Sequence, residues 1–191
     1  AGQRGYTSFG TEHAKGSEAP DLKEFFQYGQ VSDTTADGIT YAPNVLVEQL
    51  ETFNSTFDRA FAAFEHSGTN LLRAIAMYLH LDENYFDPFI QNGNSILRAI
   101  HYPPITQEPA SAIRAEQHED INLITLLIGA SADGLEILSK NGEWVPVTSL
   151  PGQIVVNVGD MLQRLTNNKL RSTTHRVVNP DRSLWHTSRF S

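Results

Sequence analysis

The 191-residue chain contains no cysteine. That absence excludes disulfides, thiolate nucleophiles, zinc–thiolate sites and iron–sulfur clusters. It also fits a reducing compartment, and a cytoplasmic location is expected. Basic residues are scarce: 14 Lys and Arg face 22 Asp and Glu, a formal net charge of −8. Nucleic acids and anionic membranes repel such a surface, so neither is an expected partner. Apolar runs long enough to span a bilayer are missing. The opening "AGQRGYTSFG" lacks the basic-then-apolar order of a signal peptide. Internal repeats and low-complexity segments are absent too. What is present is a hydrophobic fraction of 40% and a charged fraction of 19%, enough for one globular domain with a sizeable core.

Three zones follow one another. Residues 1–44 are rich in Gly, Thr, Ser and Asp and predict loops and extended segments, with "DLKEFFQYG" the one short element. Residues 45–90 predict supporting helices. Leu46, Leu50, Phe53, Phe57, Phe61 and Phe64 recur at steps of three and four, which predicts a helix over 45–64 closed by Gly68 in a left-handed cap. "NLLRAIAMYLHL" predicts a second helix, and Asp82 caps a short third one ending before Pro88. From residue 95 the pattern turns to short strands: "SILRAIHY", "INLITLLI", "LEILS", "EWVPV", "QIVVNV", "MLQRLT", "THRVV" and "HTSRFS". Most are separated by turn signals such as "ADG", "KNGE", "LPGQ" and "NPDRS". The expected architecture is mainly β with flanking α-helices, a sandwich or barrel over 95–191 braced by the helices, in a single domain spanning 1–191.

The run "AEQHEDINLITLLIGA" reads as a buried strand, yet it begins with costly polar groups. On a strand, His118 and Asp120 face one side and Glu119 the other. An imidazole and a carboxylate aimed at one point make half of a metal site, and a cation offsets the cost of the buried carboxylate. "LRSTTHRVVNP" supplies a further imidazole, His175, from a later strand. Two His and one carboxylate suit a facial Fe(II) site, and zinc accepts the same ligands. His13, His66, His80, His101 and His186 have no such partner and read as surface or packing residues. At the end of the chain Arg189 and Ser191 again share a strand face, offering a guanidinium fork and a hydroxyl suited to a carboxylate. Tyr102, ending "LRAIHYPP", offers another hydroxyl. Leu123, Leu162 and Phe190 are candidate lining of a substrate pocket, with ordinary core packing as the alternative.

"LRAIHYPP", "QHEDINLITLLI", "GLEIL", "GEWVPV", "GQIVVNVGDMLQRLTNNKLRSTTHRVVNP" and the final "RFS" occur in an order and spacing that resemble one family. This is the isopenicillin N synthase-like branch of the 2-oxoglutarate- and Fe(II)-dependent dioxygenases. The likeness covers nearly the whole chain, and "RGYTSFGTEHAKGSEAPDLKEFF" is similar to the opening of its bacterial members. The resemblance implies a double-stranded β-helix, or jelly-roll. It implies Fe(II) on His118, Asp120 and His175, with 2-oxoglutarate and O₂ as co-substrates and a small molecule as substrate. It places the distal carboxylate of 2-oxoglutarate on Arg189 and Ser191, with Tyr102 touching the same co-substrate. Ile100 stands where the family's Asn-x-Tyr motif has Asn, so that contact is missing or replaced. Family segments before this region and after Arg-x-Ser have no counterpart here, and the chain is expected to be a fragment or to lack them. Two alternatives stay open: an Fe(II) oxidase that uses no 2-oxoglutarate, and a non-catalytic metal- or ligand-binding jelly-roll.

Overall fold

The structure, a computed structural model, describes residues 4–13, 19–31, 41–105, 113–128, 134–148, 150 and 152–179, together with the backbone of 189–190. Two compact units emerge, Ala1–Tyr6 with Phe26–Arg98, and Thr7–Phe25 with Ala99–Ser191. The elements in chain order are β1 (Gly5–Thr7), β2 (Glu24–Gly29), α1 (Phe53–Tyr78), α2 (Asp87–Ile90), β3 (Ile96–Tyr102), β4 (Ala115–His118), β5 (Ile124–Ile128), β6 (Leu135–Leu138), β7 (Trp144–Pro146), β8 (Ile154–Val158), α3 (Asp160–Leu165), β9 (His175–Val177) and β10 (Arg189–Phe190). One sheet has the order β1-β2-β3-β10, a second β4-β9-β6-β7, and β5 with β8 forms a two-stranded third.

In the first unit the stripe expected to be core is only partly so: Phe53, Phe57, Phe61 and Phe64 are half-buried, while Leu46 and Leu50 are 63% and 56% exposed. Phe26 meets Phe53 and Phe57 edge-on at 5.0 and 5.4 Å between ring centroids, and Tyr28 donates to Asp58 at 2.6 Å. The helix boundaries differ from the sequence expectation. The segment before Phe53 is not helical, because the Asn54 amide engages both backbone groups of Val47. Nor does Gly68 end a helix: α1 runs through it without a break. A mid-helix glycine costs about 1 kcal/mol against alanine, a penalty that burial of Leu72 and Ala76 one and two turns later offsets. The left-handed residue is instead His80, φ 60°, just past the end of α1. The third helix does not end before Pro88 either. Asp82 caps a turn by accepting the Asn84 N–H, and α2 begins at Asp87 with proline in its first turn, where a missing N–H costs nothing.

In the second unit, "KNGE" makes the turn between β6 and β7, with Gly142 at φ 80°. "MLQRLT", expected as a strand, lies in α3. Its apolar residues do not alternate as a strand requires: Leu162 is fully buried while Met161 and Leu165 are half exposed. Asp160 in the first turn and Arg164 in the last complement the helix dipole. The single strand expected to open at His118 is also broken. β4 ends there, and β5 starts only at Ile124.

The intervening loop is held by the start of α3. The N–H groups of Gly159, Asp160 and Met161 donate to the carbonyls of Leu123, Asp120 and Asn122 at 2.9, 2.9 and 3.1 Å. These are donors a helix N-terminus leaves without intrahelical partners. The approach demands glycine at position 159, since a Cβ there would stand 2.8 Å from the Asn122 carbonyl carbon. Gly159→Ala is therefore expected to destabilise the protein by about 1–3 kcal/mol through overpacking. Urea denaturation measures this, and an unchanged midpoint would refute the close approach.

Candidate metal centre

β4 and β9 run antiparallel and set His118 directly opposite His175. The two rings lie 4.4 Å apart between centroids. His118 Nδ1 lies 2.6 Å from the Glu116 carbonyl, and His175 Nδ1 lies 3.0 Å from the Thr173 carbonyl. A carbonyl only accepts, so each Nδ1 carries the proton and each Nε2 presents a lone pair. Asp120 sits in the loop after β4, not on the strand, yet still converges with both imidazoles. Its Oδ1 is 3.8 Å from His118 Nε2 and 3.8 Å from His175 Nε2. Glu119 points elsewhere and accepts the Thr174 hydroxyl at 3.0 Å.

The other oxygen of Asp120 is held by protein. Thr125 Oγ1 on β5 donates to Oδ2 at 2.6 Å, and Asn157 Nδ2 on β8 donates to it at 2.8 Å. Asn122 Nδ2 donates to Thr125 Oγ1 at 2.8 Å, which turns the threonine proton toward the carboxylate. Asp120 thus links the β5–β8 pair to the β4–β9 pair, with one oxygen anchored and the other aimed at the imidazoles. Sequence reading missed Asn157 and Thr125. The signal was available: each is a polar residue inside an otherwise apolar strand, "IVVNV" and "ITLLI".

Electrostatics favour the protonation states a metal needs at Asp120 and His118. Burial pushes the Asp120 carboxyl upward, but the hydrogen bonds from Asn157 and Thr125, with the two imidazoles, outweigh it and hold it below the usual carboxylate range. Burial lowers the His118 imidazole; its bond to the Glu116 carbonyl opposes the shift, and His175 adds to it. Among the described residues, His118, Asp120 and His175 offer one donor atom each, all within 4.8 Å of one another. Metal–ligand bonds of about 2.1 Å require donor pairs no more than about 4.2 Å apart, so inward shifts of a few tenths of an ångström place all three on one ion. Two neutral imidazoles and one carboxylate fit Fe(II) or Zn(II).

A pH dependence follows for the metal-free protein. An unfolded histidine binds a proton below about pH 6.5, whereas folded His118 resists it to lower pH, so the unfolded state gains stability as pH falls through that value. Stability is expected to drop between pH 7 and pH 5, with Asp120 contributing a further loss only at more acidic pH. Urea midpoints measure the drop, which His118→Gln should diminish. A midpoint that rises on acidification would contradict the shift.

Tyr102, at the end of β3, is buried, with the wholly buried Arg114 guanidinium 5.3 Å from its ring centre. It is the cross-strand partner of Arg189 on β10. Arg189 and Phe190 are described as backbone alone, and Ser191 lies outside the described residues. Leu123 is half-buried in the loop that carries Asp120, and Leu162 is buried on α3.

Residues 93–191, which include every candidate ligand, match the 2OG-Fe(II) oxygenase superfamily. The chain belongs to this superfamily. A proline hydroxylase, buaE, from Petromyces alliaceus is 34% identical over 96% of this chain and 59% of its own. Among solved structures, a protein assigned to the 2OG-Fe(II) oxygenase family from Caulobacter crescentus is 44% identical, with a TM-score of 0.86 over 99% of this chain and 61% of that one. T7H from Neurospora crassa, solved in complex with alpha-KG, is 34% identical with a TM-score of 0.83 over 99% of this chain and 62% of its own. The 2OG-Fe(II) oxygenase fold is mainly β with few helices, the double-stranded β-helix that the family resemblance implies. The chain spans 49–59% of the length of the curated relatives it matches. No helix among the described residues is long and apolar enough to cross a membrane.

Proposed function

We propose that the protein is a non-haem Fe(II)- and 2-oxoglutarate-dependent oxygenase that oxidises an unactivated C–H bond of a small molecule. The observation that carries this reading is the convergence of His118, His175 and Asp120, with the second oxygen of Asp120 anchored away from the ion. When loaded, such a centre supplies C–H oxidation coupled to conversion of 2-oxoglutarate into succinate and CO₂. The chain's part is to bind and orient. His118 and His175 present Nε2 and Asp120 presents Oδ1, three ligands that leave further positions for 2-oxoglutarate and O₂. Arg189 and Ser191 take the far carboxylate of 2-oxoglutarate, with Tyr102 alongside; the cross-strand pairing of Arg189 with Tyr102 supports this grouping. Leu123, Leu162 and Phe190 contribute apolar surface that keeps water from the reacting atoms.

A small-molecule substrate is supported by two relatives, one named a proline hydroxylase and one, T7H, solved with thymine. The net charge of −8 supports a function away from nucleic acid and anionic membrane. A reducing cytoplasm, where ferrous iron persists, is part of the same proposal. The test is a mass-spectrometric screen of candidate metabolites with the full chain, Fe(II) and 2-oxoglutarate. Succinate whose formation rises with one metabolite, itself gaining oxygen or losing hydrogen, is the expected result. Oxidation of substrate without succinate would replace the proposal with a 2-oxoglutarate-independent oxidase. Metal binding without any turnover would leave a binding protein.

A further inference from the structure

The pairing of β4 with β9 is irregular at the point where the ligands lie. Ala115 stands opposite Val177 and His118 opposite His175, so three steps along β4 match two along β9. A regular antiparallel ladder would set Gln117 against His175. The extra residue, a β-bulge, brings His118 to that place and makes the two imidazoles cross-strand neighbours. A bulge takes backbone groups off the ladder, and each of them needs another partner.

That partner comes from far away in sequence. The Glu116 N–H donates to Asp21 Oδ1 at 3.1 Å, while the Glu116 carbonyl accepts the His118 Nδ1 proton at 2.6 Å. Asp21 is only 4% exposed, and its second oxygen accepts from Lys23 Nζ at 2.8 Å. Lys23 is 6% exposed and also pairs with Glu12 at 2.7 Å. The Leu22 N–H donates to the Ile113 carbonyl at 3.0 Å, tying the same segment to the chain just before β4. A buried ammonium between two carboxylates is an expensive arrangement. Here it fixes the carboxylate that receives the unpaired N–H of the bulge.

We propose that Asp21, held in place by Lys23, is a positioning residue for His118: it pins the β-bulge that aims this imidazole at the metal. The inference rests on the metal-centre reading above. Groups that orient a metal ligand without touching the ion typically govern 10–100-fold in affinity.

The test is titration of the full chain with Co(II), whose visible absorption reports ligand geometry, alongside urea denaturation. Asp21→Ala is expected to weaken Co(II) binding about tenfold and to alter the visible spectrum of the bound ion. Glu12→Gln neutralises the second carboxylate at Lys23 while leaving Asp21 in place, and is expected to bind within about twofold of the parent with an unchanged spectrum. If the alanine variant does not fold, Asp21→Asn carries the test. A side-chain amide has one acceptor oxygen, so it must turn a donor toward either Glu116 N–H or Lys23. Loss of one net hydrogen bond predicts binding weaker by about fivefold, again with a changed spectrum. A folded Asp21 variant with parental affinity and spectrum, only less stable, would overturn the proposal and leave Asp21 as a structural residue. A parent chain that takes up no Co(II) would sink the metal reading itself and this inference with it.

Discussion

Asp120→Ala is expected to weaken divalent-metal binding by more than about a hundredfold, because residues that merely orient ligands already account for 10–100-fold. Asp120 is the only anionic member of the three-ligand group, and both imidazoles reach the ion's position from one strand pair. Without the carboxylate, two neutral donors remain on one side of the ion. The metal-free protein should lose some stability as well, because the hydrogen bonds that Asp120 accepts outweigh its desolvation. Removing a half-buried carboxylate relieves desolvation, while Thr125 and Asn157 lose their acceptor, at about 1–3 kcal/mol for an unsatisfied group. The decisive readout is therefore the stabilisation conferred by metal. At a free concentration of a hundred times Kd the parent gains about 2.7 kcal/mol, whereas a variant weakened a hundredfold gains only about 0.4 kcal/mol at that concentration. Substrate-stimulated succinate should fall to background in parallel. Asp120→Asn, which keeps the shape and an acceptor for the two donors, separates charge from scaffolding. A parental metal response in both variants would remove Asp120 from the ligand set.

The ligands were legible because their chemistry is conspicuous: His118 and Asp120 interrupt an apolar run that has no packing use for them. The reason given for their convergence was incomplete. Strand alternation predicts that residues two apart face together, but Asp120 is off the strand, and its direction is set by the carbonyl bonds to Gly159, Asp160 and Met161 and by two side-chain donors. All of those contacts except the one from Thr125 join positions more than thirty residues apart, which periodicity cannot report. Asp21 is a stronger case, since it meets Glu116 across 95 positions. The helix errors have a different origin. Gly68 and Pro88 carry local preferences of a few kcal/mol at most, and packing decided otherwise: burial of Leu72 and Ala76 carries α1 past the glycine, and Pro88 occupies the one part of a helix that tolerates it. α3 was misread because "MLQRLT" is short and apolar, a length at which helix and strand patterns are hard to separate. The misreading hid a functional link, because α3 supplies the N–H groups that hold the Asp120 loop.

The hold on the second oxygen of Asp120 carries the other large expectation. Asn157→Ala and Thr125→Val each remove one donor to the same atom. Either change alone leaves the remaining donor to keep the carboxylate turned, so each is expected to weaken metal binding about tenfold, the lower bound for an outer partner of a ligand. Together they should cost more than about a hundredfold, beyond the product of the two single effects. With neither donor present, nothing described on the protein distinguishes the two oxygens, and the carboxylate is free to rotate away from the imidazoles. Because both donors share one acceptor, the effects should couple rather than simply add, and a double-mutant cycle measures that coupling. The carboxyl titration offers a second readout independent of metal. Burial pushes Asp120 upward and these hydrogen bonds are what first outweigh it, so the double variant should titrate at higher pH than the parent, observable by carbon NMR of the carboxyl group. By linkage, the stability that Asp120 contributes above the unfolded carboxylate pKa would shrink by the same interactions, and the smaller loss on acidification would be complete at higher pH. A double variant that keeps both the parental metal affinity and the low carboxyl titration would mean that the ligand is aimed by its loop alone, with Asn157 and Thr125 no more than polar filling between the strands.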